Sequence, residues 1–199
     1  GRNGSGKSTL LRIIAGIYPA TSGTVHLSEG SRIGAMIDLG VGFHPELTGG
    51  ENIFLGASIH GLTRKEIQKI YDSIVEFSEL HNFMDTPIKN YSSGMHARLG
   101  FALAVSFDPD VLLVDEVLAV GDEAFQRKCE KQIDQFRAQG KTILFVSHDA
   151  DAVKKICDRA CVLDHGSMVF LGKADEAIER YHEMVALGHG IAEMETASP

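Results

Sequence analysis

The chain has 199 residues, 44% of them hydrophobic, which suffices for one covered core in a single α/β domain. Its 27 acidic side chains outnumber the 19 basic ones, and the formal net charge of -8 excludes a global electrostatic footprint for a nucleic-acid backbone. No stretch approaches the ~18 consecutive apolar residues of a membrane span, and no charged start leads into an apolar signal core, so no direct membrane span is expected. Cys129, Cys157 and Cys161 are odd in number and lack metal-ligand spacing, and read as small hydrophobes kept reduced.

The sequence opens at Gly1 on a glycine-rich turn of the kind that follows a buried strand, so a sheet lacking its N-terminal strands is expected. Leu10, Leu11, Ile13, Ile14 and Ile17 recur at helical spacing and predict a helix over 7–17, with Gly16 and Pro19 at its exit. Two β-prone pieces, 24–27 and 33–39, flank the polar turn 28–31 and predict a small sheet region. Residues 47–80 turn helical, with Ile67, Ile70, Tyr71, Ile74 and Phe77 in steps of three and four between charged residues. A further helix over 93–107 ends at Asp108 and Pro109, and the apolar run 111–114 has the composition of a buried parallel strand. Beyond it the pattern predicts a helix over 123–138 stopped by Gly140, a strand over 142–146 and a helix over 150–157. Strands near 161–163 and 168–171 and a helix over 174–186 follow. Alternating strands and helices imply an α/β fold with a mostly parallel, covered sheet. The tail 188–199 has no apolar period and is expected to be unstructured.

Four groups of residues carry chemistry. In Gly1-Arg2-Asn3-Gly4-Ser5-Gly6-Lys7-Ser8-Thr9 the glycines let the backbone wrap an anion, with the start of the next helix adding positive potential. Lys7 is then placed to neutralise β and γ phosphates, and the Ser8 hydroxyl to ligate a magnesium ion bridging them. The strand Leu112-Leu113-Val114 delivers Asp115 and Glu116 to the sheet edge at which α/β proteins bind ligands. Asp115 would hold the metal, and Glu116 would polarise the attacking water. Tyr91-Ser92-Ser93-Gly94-Met95 stands before an apolar helix, which either serine can cap; on physical grounds alone this is a helix start. His148 follows the strand over 142–146, at the same sheet edge as Asp115, where its imidazole could reach a γ phosphate.

In this order, from Gly1 to about Gly172, the motifs resemble the ATP-binding cassette (ABC) ATPases. The resemblance implies a P-loop NTPase fold, with one ABC ATPase domain over 1–187 and a helical insertion subdomain at about 47–107. It also implies a head-to-tail homodimer that sandwiches ATP and Mg2+. One subunit would contribute Gly1, Asn3, Gly4, Ser5, Gly6, Lys7, Ser8 and Thr9, and the other Ser92, Ser93 and Gly94. Glu116 and His148 become the catalytic pair, Ser8 and Asp115 the metal ligands, and Asp122 the aspartate that couples the two sites. Gly42-Phe43-His44-Pro45-Glu46-Leu47-Thr48-Gly49 with Glu51-Asn52-Ile53, and Asp115-Glu116-Val117-Leu118-Ala119-Val120-Gly121-Asp122, are similar to the polysaccharide-exporter branch. That branch drives export of O-antigen, capsule, teichoic acid or related glycans through a separate integral membrane permease. Its ATPases work peripherally on the cytoplasmic face of the plasma membrane, and the region 47–80 would receive the permease's coupling helix. The chain departs from the wider family in having Met95 where many cassettes have glutamine, and Asp38 as the nearest polar residue to a missing loop glutamine. The aromatic residue that usually stacks on adenine would lie before Gly1. A soluble cassette ATPase of translation or DNA repair is the competing reading, which one short acidic cassette without a basic patch argues against. A truncated copy is a third, since a sheet without its first strands leaves edges unpaired.

Overall fold

A computed structural model of the protein describes residues 4–36, 42–115 and 121–196, with side chains in the last helix as far as residue 186. Gly1, Asn3, Asp38 and Glu116 therefore lie outside the described residues, as does the end of the strand expected over 33–39. The chain divides into two compact units, Leu11–Leu144 and a second made of Gly1–Leu10 with Phe145–Pro199.

The elements run α1 (Lys7–Ile14), β1 (Ile33–Met36), α2 (Gly49–Ile59), α3 (Arg64–Ser78), α4 (Ser93–Ser106), β2 (Val111–Asp115), α5 (Glu123–Ala138), β3 (Thr142–Val146), α6 (Ala150–Ile156), β4 (Arg159–Asp164), β5 (Ser167–Lys173) and α7 (Ala174–Thr196). β2 lies between β1 and β3 in a three-stranded sheet. It pairs with β1 in parallel, in a register that sets Ile33 against Val111 and Met36 against Val114. Leu112, Leu113 and Val114 are buried in succession, at 1%, 0% and 0% exposure, as a strand covered on both faces requires. α4 packs on the neighbouring strand β1 and on α2, α3 and α5. In the second unit β4 and β5 form an antiparallel pair with α7 against both strands and α6 against α7.

The helices of the larger unit start where local chemistry tells them to. Thr48 and Thr63 each close a reciprocal capping box, with Glu51 and Glu66 three residues on, which satisfies backbone donors that the first helical turn leaves open. α3 then buries Ile67, Ile74 and Val75 on one side, against Leu99, Ala102 and Leu103 of α4, in a core shared with Ile53, Ala57 and Tyr91. At Gly56 of α2 the Leu103 side chain lies against the helix backbone: a Cβ there would stand 2.5 Å from Leu103 Cδ2.

Three elements differ from the sequence pattern. α1 ends at Ile14, because Gly16 takes φ +73° and closes the helix from the left-handed region; Ile17 is then exposed beyond it. No strand forms over 24–27, where Val25 and Leu27 are exposed. β preference is realised only when a neighbour accepts the ladder, and among the described residues none does. α7 is helical to Thr196, past the end expected at 186 and through a stretch expected to be unstructured. Ala192, Glu193, Met194 and Glu195 favour helix, while Gly188 and Gly190 oppose it, so intrinsic propensity alone does not account for the extension.

The segment 44–52 is built around one buried side chain. Asn52, at 0% exposure, accepts from the His44 N–H at 2.6 Å through Oδ1. Its Nδ2 donates to the carbonyls of His44, Leu47 and Thr48 at 3.1, 3.0 and 2.9 Å. Glu46 leans outward onto Lys89 at 2.7 Å. The stretch that looked like a family mark is thus a loop clamp that fixes the entry to α2. Asn52→Ala removes the acceptor of the His44 N–H, while the His44, Leu47 and Thr48 carbonyls keep the backbone N–H groups of Leu47, Ile88 and residue 52, and urea unfolding is expected to show a loss of about 1–3 kcal/mol.

Candidate nucleotide site

The glycine loop opens α1. Gly4 and Gly6 have φ +77° and +97°, a region that favours glycine, and a Cβ at Gly4 would meet open space. Both glycines are therefore set by backbone conformation. Between them Ser5 is buried, and its carbonyl accepts from the Gly166 N–H at 3.1 Å, which ties the loop to the turn between β4 and β5. Lys7 and Ser8 occupy the first turn of α1, both half-buried, and Lys7 Nζ lies 3.5 Å from Ser5 Oγ. Thr9 is exposed beside them. An ammonium, a hydroxyl and a helix N-terminus are thus gathered on a loop whose backbone can turn its N–H groups to an anion.

His148 belongs to the same unit as this loop. It is exposed in the turn between β3 and α6, and the turn is held by Asp149, whose N–H donates to Ser147 Oγ at 3.0 Å. The Asp149 side chain in turn accepts from Asp151 N at 2.9 Å and Ala152 N at 3.3 Å.

The remaining candidates lie in the larger unit. Asp115 is the last residue of β2 and half-buried, so its carboxylate ends a strand whose preceding three residues are fully packed. Ser92 caps α4, its Oγ accepting from Met95 N at 3.2 Å, and both Ser92 and Ser93 are exposed with Gly94 behind them. The N-terminus of this fourteen-residue helix therefore faces outward. Tyr91 anchors it: burial pushes the phenol up to about 12, and its hydroxyl donates to Phe83 O at 2.7 Å. Asp122 caps α5 by accepting from Phe125 N at 2.9 Å, and its carboxyl sits below its usual range because of that bond and the nearby Arg98 guanidinium.

A scan of the chain against family models matches the ABC transporter model over residues 1–119. The chain belongs to the ABC transporter family. It is an ABC ATPase whose sequence is 52% identical, over 186 residues, to the O-antigen export system ATP-binding protein RfbB of Klebsiella pneumoniae, covering 94% of this chain and 75% of that protein. It is 45% identical, over 185 residues, to the teichoic acids export ATP-binding protein TagH of Listeria innocua, covering 93% of this chain and 54% of that one. Among solved structures it is similar to a dimeric post-hydrolysis state of the ATP-binding cassette MJ0796 bound to ADP and Pi. The TM-score is 0.72 at 24% identity, over 87% of this chain and 83% of that one, a likeness that shows the fold.

Sequence reasoning passed over two residues that the ABC ATPase links to Asp122, one directly and one through the first. Arg98 projects from α4 and bonds Asp122 Oδ2 and Glu79 Oε2, each at 2.7 Å. The signal available was one arginine in a helix otherwise made of apolar and small residues after His96. No sequence signal pointed to Glu79.

Proposed function

We propose that this ABC ATPase is the ATP-hydrolysing subunit of a system that exports a cell-surface polysaccharide or lipid-linked glycan, working as a head-to-tail homodimer on an integral membrane permease. The observation that carries the reading is 52% identity across 94% of the chain to an O-antigen export ATP-binding protein. The geometry agrees with it in one respect that matters for a dimer. The glycine loop and the outward-facing 92–94 turn are both helix starts suited to anions, as the two halves of a shared nucleotide site would be.

In this reading Gly1, Asn3, Gly4, Ser5, Gly6, Lys7, Ser8 and Thr9 of one copy hold the triphosphate of ATP, and Ser92, Ser93 and Gly94 of the second copy complete it. Ser8 and Asp115 offer a hydroxyl and a carboxylate, hard oxygen donors of the kind Mg2+ takes alongside phosphate oxygens. Bound there, Mg2+ supplies positive charge to the phosphates. Glu116 orients and polarises the attacking water, His148 stabilises the γ phosphate, and Asp122 couples the two sites. The ATPase sits peripherally at the cytoplasmic face of the plasma membrane. No helix among the described residues is long and apolar enough to cross a membrane, so the permease supplies the path.

Disrupting the gene in its host is expected to abolish the surface glycan and to accumulate its lipid-linked precursor inside the cell, with rescue by the wild-type gene and none by a Lys7→Ala copy. An unchanged surface glycan, with the protein co-purifying with ribosomes or DNA, would refute the exporter reading.

A further inference from the structure

α3 ends on a residue ill-suited to the place. Glu79 closes the helix at φ 59°, ψ 31°, the left-handed conformation that glycine adopts freely and that a side chain with a Cβ disfavours. Its backbone does what a glycine there would do: the N–H donates to Val75 O at 3.0 Å. The carboxylate does what glycine could not. Oε2 accepts from Arg98 Nη1 at 2.7 Å and Oε1 from Lys128 Nζ at 3.1 Å. Lys128 also donates to the carbonyls of Glu76 and Phe77 at 3.3 and 2.9 Å, so the last turn of α3 is capped even without Glu79.

Arg98 is the joint of this network. Its side chain is 16% exposed, and its guanidinium lies 4.7 Å over the Phe125 ring, with one arm on Glu79 and the other, Nη2, on Asp122 Oδ2 at 2.7 Å. A planar guanidinium with two fixed arms transmits orientation as a lysine would not. The two carboxylates it joins reach solvent, at 48% exposure for Glu79 and 64% for Asp122. Solvent at the carboxylate ends screens these pairs and limits what they add to stability.

We propose that Glu79 is a positioning residue for ATP turnover: by holding one arm of Arg98, it fixes the other arm on Asp122. The end of α3, the helix that begins with Ser92 and Ser93, and the turn before α5 then move as one piece. The inference rests on the coupling role proposed for Asp122, and it gives the helical insertion a route to that residue. An event at α3 that shifts Glu79 would release Asp122 through Arg98.

The test is a substitution that favours the backbone and removes only the carboxylate. In the purified protein Glu79→Gly is expected to keep or raise the thermal midpoint, leave KM for ATP within ~2-fold and lower kcat by ~10-fold. Glu79→Gln, which keeps the shape and one hydrogen bond, should fall between. Added to Asp122→Asn, Glu79→Gly should cause no further loss, because both act at one point. A Glu79→Gly protein with normal kcat beside an impaired Asp122→Asn protein would overturn the proposal, as would losses that add in the double variant. A fall in thermal midpoint matching the loss of kcat would also overturn it, since Glu79 would then serve the fold. Normal turnover by Asp122→Asn alone would instead remove the coupling role on which the proposal rests.

Discussion

A Glu116→Gln protein is expected to bind ATP as tightly as the wild type and to hydrolyse it ~1000-fold more slowly. The amide keeps the volume and one acceptor oxygen of the carboxylate, so ground-state contacts to nucleotide should be little changed. It cannot take a proton at neutral pH, and the attacking water then loses its base. Because β2 holds Asp115 at the end of a run of fully buried residues, the substitution one residue further on should leave the strand and its sheet in place. Single-turnover hydrolysis with radiolabelled ATP, beside equilibrium binding, separates the two quantities. ATP should then be trapped on the protein, and under the dimer reading the trapped species should elute at twice the mass of the nucleotide-free chain. Turnover near the wild-type rate would move the general base to another residue, and His148 would be the next to substitute.

What the sequence made legible is what local chemistry decides. α5 and β3 begin and end where predicted, at Glu123–Ala138 and Thr142–Val146. Asp122 caps the one, Gly140 stops it with φ +74°, and the other is a plain apolar run. The phosphate loop was legible for a related reason: the positive φ of Gly4 and Gly6 is a requirement of single residues, and only glycine meets it without strain. The failures are non-local. The stretch over 24–27 has strand composition, but composition cannot say whether a neighbour will pair with it. Glu79 looks like any surface glutamate until the fold brings Arg98 from 19 residues away and Lys128 from 49 residues away. Asn52 was noticed as part of a family mark, yet its work, holding three carbonyls and an N–H of its own loop, appears only when that loop is closed. Of the candidate site, residue identities and the strand or helix end bearing each described one could be read in advance. The orientation of the 92–94 turn could not, since it depends on Tyr91 being buried and bonded to Phe83 O.

Lys7→Ala separates the two contributions that the loop is proposed to make to phosphate binding. The backbone N–H groups and the start of α1 survive the substitution, because Gly4 and Gly6 fix the loop and Leu10 N still donates to Gly6 O at 2.9 Å. Only the ammonium is lost. A charge-assisted contact to a phosphate in a half-buried setting is a large fraction of nucleotide affinity, and the expected result is ~100-fold weaker binding, or about 2.8 kcal/mol. Titration with a fluorescent ATP analogue measures it. The matching titration with an AMP analogue, which lacks the β and γ phosphates, supplies the control: its weaker binding should barely change. If Lys7 instead served only to steady the loop through its contact with Ser5 Oγ, both nucleotides would weaken together and the thermal midpoint would fall. Selective loss of triphosphate binding at an unchanged midpoint places the charge on the β and γ phosphates, and equal affinity for ATP in wild type and variant would refute that placement.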